Sequence, residues 1–156
     1  MKKYLSRLSL PAYLIPLAAV LAVIGLIVAI VSCTGEGFGM ASMPWVAVLT
    51  IAAVLLCGGI LYFSATKGDR ALPSLGLLLM VLAVSGCIYL MVYGKADVFG
   101  TVIFSELERG FAPAERASNL GVVSIAFYLA SALLIMVASF FRLSKAQGEP
   151  AVIIDK

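Results

Sequence analysis

Apolar residues dominate this chain in four long runs that contain no charged side chain. The runs extend over 8–35, 37–66, 71–94 and 117–141. A hydrocarbon core about 30 Å thick is crossed by roughly 20 apolar residues in a helix, and each run reaches that length. The pattern predicts an all-α integral membrane protein, a single-domain bundle of four transmembrane helices with spans at about 11–31, 45–63, 73–93 and 118–141.

The longest polar interruption lies between the third and fourth runs, over residues 94–118. Four of the eight acidic residues and three of the eleven basic residues of the chain fall within it. Because the other predicted connectors are short, we expect this stretch, the 94–118 segment, to be a structured loop. The tail at 143–156 is polar and is predicted to be disordered.

The composition excludes a water-soluble globular domain and helps to orient the bundle. The chain is 63% hydrophobic and 12% charged, whereas a soluble domain has about a quarter of its residues charged.

Lys and Arg collect in cytoplasmic segments of membrane proteins. Eight of the eleven basic residues lie on the side of the two termini and three on the side of the 94–118 segment. We therefore predict that both termini are cytoplasmic and that the 94–118 segment faces outward. No nucleic-acid partner is expected.

The first apolar run admits a second interpretation. A basic start followed by an apolar region resembles a secretory signal, and the sequence Ile30-Val31-Ser32-Cys33 resembles a lipoprotein cleavage motif in which the cysteine becomes lipidated. However, the apolar region of a signal is about 7–15 residues long, and this run is longer. We predict an uncleaved span, with the lipoprotein as the open alternative.

Small residues mark candidate helix contacts within the spans. Gly, Ala and Ser let transmembrane helices approach closely. The candidate packing positions are Ala18, Ala22, Gly25, Ala29, Gly58, Gly59 and Gly86.

The residue types that support catalysis and transport are sparse. The chain has no histidine, and its three cysteines, Cys33, Cys57 and Cys87, form no closely spaced pair. No charged residue lies inside a predicted span, whereas ion-coupled transporters usually carry one. Glu106 and Glu108 have no accompanying nucleophile or second base. We predict no catalytic residue, no cofactor and no metal site. A passive pore is an alternative, with a lining drawn from Thr50, Ser85, Ser124, Tyr128 and Ser131.

An apolar stripe runs through the 94–118 segment. Phe99, Ile103, Leu107 and Phe111 are spaced four residues apart, so they would share one face of a helix. An uncovered stripe of this kind would be a costly apolar patch. It is either the docking surface for a partner or a lid that seals the end of the bundle.

The second half of the chain carries a resemblance. The ADV at 96–98, the APAERASN at 112–119 and the FYLASALLIMVASFF at 127–141 resemble small uncharacterised four-helix membrane proteins of anaerobic bacteria, which accompany larger surface enzymes such as glycoside hydrolases. The resemblance implies a multi-pass protein of the bacterial cytoplasmic membrane. It implies no activity and no site residues.

Taken together, these features predict a non-enzymatic accessory, scaffold or assembly subunit of a larger membrane complex that docks through the 94–118 segment. The expected partners are the lipid bilayer and either another membrane protein or further copies of this chain. The alternative is a homo-oligomeric pore or facilitator for a small solute.

Overall fold

The computed structural model describes residues 13–34, 39–66, 71–104 and 112–140. In these ranges the chain forms α1 (Leu14–Ser32), α2 (Met43–Thr66), α3 (Ala71–Gly94), α4 (Ala96–Phe104) and α5 (Ala112–Ser139). Four helices, all but α4, are long and apolar enough to cross a membrane. The prediction of an all-helical protein with four candidate spans is therefore confirmed. The tail at 143–156 lies outside the described residues.

The fourth long helix starts earlier than the predicted span near 118. It begins at Ala112 and has Pro113 and Glu115 in its first turn. A proline is tolerated there because the first backbone N–H groups have no acceptor within the helix, and an acidic residue complements the positive end of the helix dipole. At 1.5 Å per residue α5 is about 42 Å long, so it exceeds a hydrocarbon core of about 30 Å.

Neighbouring helices run antiparallel. Ser124 of α5 bonds Gly25 of α1, and Ser131 bonds Ala18, so α5 descends as α1 ascends. The start of α1 and the end of α5 consequently share one end of the bundle. The opposite end carries the end of α1, the start of α2, the end of α3, α4 and the start of α5. We call it the α4 end.

Small residues bring α1 and α5 close together. Ala18, Ala22, Gly25 and Ala29 are all buried, and α1 packs more extensively against α5 than against α2. A Cβ atom placed on Gly25 would lie 3.3 Å from the Cβ of Phe127. The glycine therefore permits a backbone approach that a larger residue would disturb.

The candidate glycines of α2 and α3 differ in their surroundings. A Cβ on Gly86 would lie 2.9 Å from Leu49 Cδ1, so Gly86 is a contact point between α3 and α2. No atom of the described chain lies within 4 Å of a Cβ placed on Gly58 or Gly59. The suggested packing of these two glycines against a neighbouring helix is thus not made within the described chain, because they lie on a side of α2 that meets no other helix there.

A buried polar cluster joins α2, α3 and α5. The Thr50 hydroxyl donates to the Val46 carbonyl at 2.8 Å, so the Tyr128 hydroxyl, 2.8 Å from Thr50 Oγ1, is the donor to Thr50. The Cys87 thiol donates to the same Val46 carbonyl at 3.6 Å. The polar atoms of this cluster have hydrogen-bond partners inside the bundle, as buried polar groups require.

The five residues suggested as a pore lining do not share one space. Thr50 and Tyr128 bond one another, and Ser124 and Ser131 bond α1 carbonyls. Ser85 is exposed on α3. Four of these side chains therefore connect helices.

Candidate docking site at the α4 end

Helix α4 follows α3 after a single turn residue, Lys95. The Lys95 amide donates to the Met91 carbonyl, and the Phe99 amide donates to the Lys95 carbonyl, so backbone hydrogen bonds continue through the junction. Asp97 lies in the first turn of α4, where a negative charge is favourable. The short helix packs against α5 and against the end of α3.

Lys95 is fully buried and attaches this junction to α1. Its side chain is 0% exposed, and Nζ donates to the Ser32 carbonyl at 3.0 Å. Ser32 ends α1, so no backbone N–H of the helix donates to its carbonyl. A cation beside this negative end of the helix dipole is also stabilising. From the sequence alone, Lys95 is only one of the three basic residues on the side of the 94–118 segment. The sequence signal that sets it apart is its position directly after the charge-free run 71–94.

Phe99 occupies a space that Gly121 of α5 leaves open. A Cβ on Gly121 would lie 3.2 Å from Phe99 Cζ, so a larger residue would displace the ring. Phe99 is half-buried, and part of its ring is already covered by this chain. Ile103 lies on α4 but its side chain is not described, and Leu107 and Phe111 lie outside the described residues. The four-residue stripe stays a prediction.

Residues 39–42, which lead into α2 and are called the approach to α2, pack onto the end of α3. Met40 is buried, and its side chain, together with the Ser42 hydroxyl, fills the space where a Cβ on Gly94 would stand. The Ser42 hydroxyl also donates to the Leu90 carbonyl at 3.4 Å. These contacts hold the end of α3, directly before α4 begins.

A pocket of about 320 Å³ opens between the end of α1 and the start of α5. Val31, Pro113 and Leu120 supply apolar wall, and Arg116 supplies a cation. Thr34 and Ser32 complete the α1 side, where the Thr34 hydroxyl donates to the Val31 carbonyl at 2.7 Å. No hydrogen bond or ion pair engages the Arg116 side chain within the described part of the chain.

Large aromatic side chains surround the α4 end. Trp45 is 65% exposed and Tyr93 is 71% exposed, and Tyr89 stacks on Tyr93 with ring centroids 6.1 Å apart. Trp and Tyr concentrate at the two membrane–water interfaces. Their positions match those expected at a membrane–water interface.

The described ranges contain three cysteines, two acidic residues and no histidine. These ranges contain no group of three or more His, Cys, Asp or Glu residues close enough to hold a metal ion. Cys33, which directly follows α1, Cys57 on α2 and Cys87 on α3 are free thiols.

No protein-family model, curated protein or solved structure matches this chain significantly. The function of the α4 end is therefore inferred from its own contacts and charges.

Proposed function

We propose that this protein is a non-enzymatic accessory, scaffold or assembly subunit of a bacterial membrane complex, and that it docks a partner membrane protein at the α4 end through the 94–118 segment. The distribution of Lys and Arg supports an orientation with this end on the outer face and both termini in the cytoplasm. The observation that carries the proposal is the way the base of α4 is attached to the bundle at several points.

Three sets of contacts attach this region. Lys95 bonds the end of α1, Phe99 lies against Gly121 of α5, and Met40 packs on Gly94. A surface fixed in advance loses less conformational entropy when a partner binds. Support from α1, α5 and the approach to α2 therefore favours a preorganised docking surface.

Exposed polar residues supply the means of recognition beside α4. Asp97 on α4 and Glu115 in the first turn of α5 are exposed. Exposed charges around a partly apolar surface favour the correct partner and disfavour others.

The hydrogen bonds inside the bundle give less support to the alternative function, a pore. Thr50, Tyr128, Ser124 and Ser131 form hydrogen bonds inside the bundle, which is the usual role of such residues between transmembrane helices. A conduit would then have to form between copies of the chain.

Site-specific photo-crosslinking in native membranes tests the proposal. A photoreactive residue replaces Asp97, which is exposed on α4, or Leu82, which is 60% exposed in the middle of α3. We expect one adduct of discrete mass with a different protein from position 97 and none from position 82. Adding Phe99→Ser should reduce the adduct.

Two outcomes contradict the docking proposal. Adducts from position 97 that contain only further copies of this chain support the homo-oligomeric alternative. The same protein captured from both positions indicates contact along the lipid-facing surface, without docking at the α4 end.

A further inference from the structure

The pocket between α1 and α5 lies at the depth of lipid headgroups. Helix α1 has 19 residues and is about 28 Å long at 1.5 Å per residue, which matches a hydrocarbon core of about 30 Å. Its last residue, Ser32, therefore lies at the edge of the core. Arg116 and Leu120 line the opposite wall, on the part of α5 that reaches this edge.

The charges around the pocket favour an anion. Arg116 lines it and forms no hydrogen bond or ion pair within the described chain. Pro113, in the first turn of α5, lines it as well, so the positive end of a long helix dipole is directed toward the same space. The neighbouring acid, Glu115, is not among the lining residues, because consecutive residues of a helix point in different directions.

Among the described residues that line the pocket, the end of α1 carries the partial negative charge of a helix C-terminus, and its last carbonyls accept hydrogen bonds. The Ser32 carbonyl accepts from the Lys95 ammonium at 3.0 Å. The Val31 carbonyl accepts from the Thr34 hydroxyl at 2.7 Å and from its amide at 3.2 Å. The buried lysine therefore cancels much of the charge that α1 would present to the pocket.

We propose that this pocket binds the phosphate of an anionic phospholipid headgroup, with Arg116 as the phosphate ligand. The planar guanidinium matches the geometry of phosphate oxygens, and the pocket that Arg116 lines opens between two candidate transmembrane helices. Val31 and Leu120 supply apolar contact for the glycerol and the first acyl carbons. A free phosphate ion would leave these apolar walls exposed to water, so the combination favours a lipid.

Lipid-dependent melting of the purified full chain in a neutral detergent tests the site. Melting is measured alone and with phosphatidylglycerol, phosphatidylcholine or inorganic phosphate, and each shift is referred to the lipid-free value of the same variant. We expect phosphatidylglycerol to raise the melting temperature more than phosphatidylcholine does. Arg116→Gln should raise the phosphatidylglycerol concentration needed for half of the melting shift roughly tenfold, because charge-assisted hydrogen bonds are lost.

Three further variants make the result specific. Arg116→Lys should retain part of the response, since the charge stays. Leu120→Trp, which fills the pocket without changing its charge, should lose the response. Ser139→Ala, which alters an exposed residue at the other end of α5, should keep it.

Three results would overturn the assignment. Arg116→Gln and Leu120→Trp could both respond as the unmodified chain does. Inorganic phosphate alone could reproduce the full shift, which would make the ligand a free anion. Alternatively, both lipids could act equally while Arg116→Gln abolishes the adduct from position 97, which would make the pocket part of a protein-docking surface.

Discussion

At the residue scale, the surroundings of each glycine decide what it contributes. Gly94 ends α3, and Met40 and Ser42 fill the space beside it. Gly58 lies within α2 and faces open space in the described chain. The two positions form a matched pair, since the same added methyl group meets a neighbour at one and no described neighbour at the other.

We predict that Gly94→Ala destabilises the bundle and that Gly58→Ala does not. Overpacking a filled contact costs about 1–3 kcal/mol, whereas Ala in an open helical position is about 1 kcal/mol better than Gly in intrinsic propensity. Thermal melting of the two purified variants in one detergent measures the difference. Equal melting temperatures would show that the Met40 contact is easily displaced.

Lys95 illustrates what reasoning from single residues omits. The sequence identifies a lysine at the end of a span, a position from which long side chains usually extend to water. In the structure it is fully buried and bonds the end of α1. Lys95 stays inside the bundle because the Ser32 carbonyl lies within reach of its ammonium group. Only the packing of α1 beside the α3–α4 junction brings these two groups together.

At the scale of elements, hydroxyl groups connect α1 to α5. Ser124 and Ser131 each donate to an α1 carbonyl at 2.8 Å. Ser139 is a suitable control because it is exposed and donates to the Met136 carbonyl of its own helix at 2.6 Å.

We predict that Ser124→Ala and Ser131→Ala each lower the free energy of unfolding by about 0.6 kcal/mol, the average for interhelical hydrogen bonds in membranes. The double variant should lose roughly twice as much, because the sites are separated by two helical turns. Ser139→Ala should change little. Reversible unfolding in mixed micelles provides the comparison. A double variant no less stable than Ser139→Ala would mean that these bonds contribute nothing net.

The second prediction for an element concerns the 94–118 segment. Phe99→Ser combined with Ile103→Ser should reduce recovery of the partner complex or the melting temperature, because each lost apolar contact forfeits roughly 1.5–3 kcal/mol. The sequence predicts only a surface ion pair between Glu106 and the nearby Arg109. Glu106→Gln should therefore change little, because an exposed ion pair contributes about 0–1 kcal/mol. Co-purification yield and melting in the same detergent measure both effects. Loss of function in Glu106→Gln alone would identify a chemical site.

At the scale of the whole molecule, α1 belongs to the bundle. Its removal by cleavage before Cys33 would leave the hydroxyls of Ser124 and Ser131 and the ammonium of Lys95 without their α1 acceptors. Such losses cost about 1–3 kcal/mol for each buried group. We therefore predict that the mature protein retains α1, which intact-mass measurement will establish. A chain that begins at a diacylated Cys33 would contradict this.

The final prediction concerns orientation in the membrane. Cysteine labelling of intact cells should find engineered sites near Lys67 and Ala146 inside and a site near Ser105 outside, as the distribution of basic residues favours. Because four long helices alternate in direction, the first two sites should always share a side. Labelling of Ser105 from the inside would invert the orientation, and labelling of the first two sites from opposite sides would contradict four crossings.

The sequence by itself determined the number and the approximate bounds of the long helices. Span length follows from the match between a run of apolar residues and the thickness of the hydrocarbon core, which is a local property of the chain. The predicted bound differs most from the structure at the start of α5. Glu115 and Arg116 end the apolar run there, although the helix begins at Ala112. The backbone hydrogen bonds of the helix continue beyond the hydrocarbon core, whereas hydropathy marks only the part of the helix that lies inside it.

The tertiary structure decided which residues meet. The four long helices are apolar on every side, so no amphipathic pattern marks the face that packs inward. Ala22 of α1 and Gly58 of α2 look alike in sequence, yet the first is buried and the second is exposed. In lipid, large apolar side chains can face outward at no cost, so contact geometry between small residues and hydroxyls selects the packed faces. That geometry exists only once the helices are assembled, as do the buried Lys95 and the pocket beside Arg116.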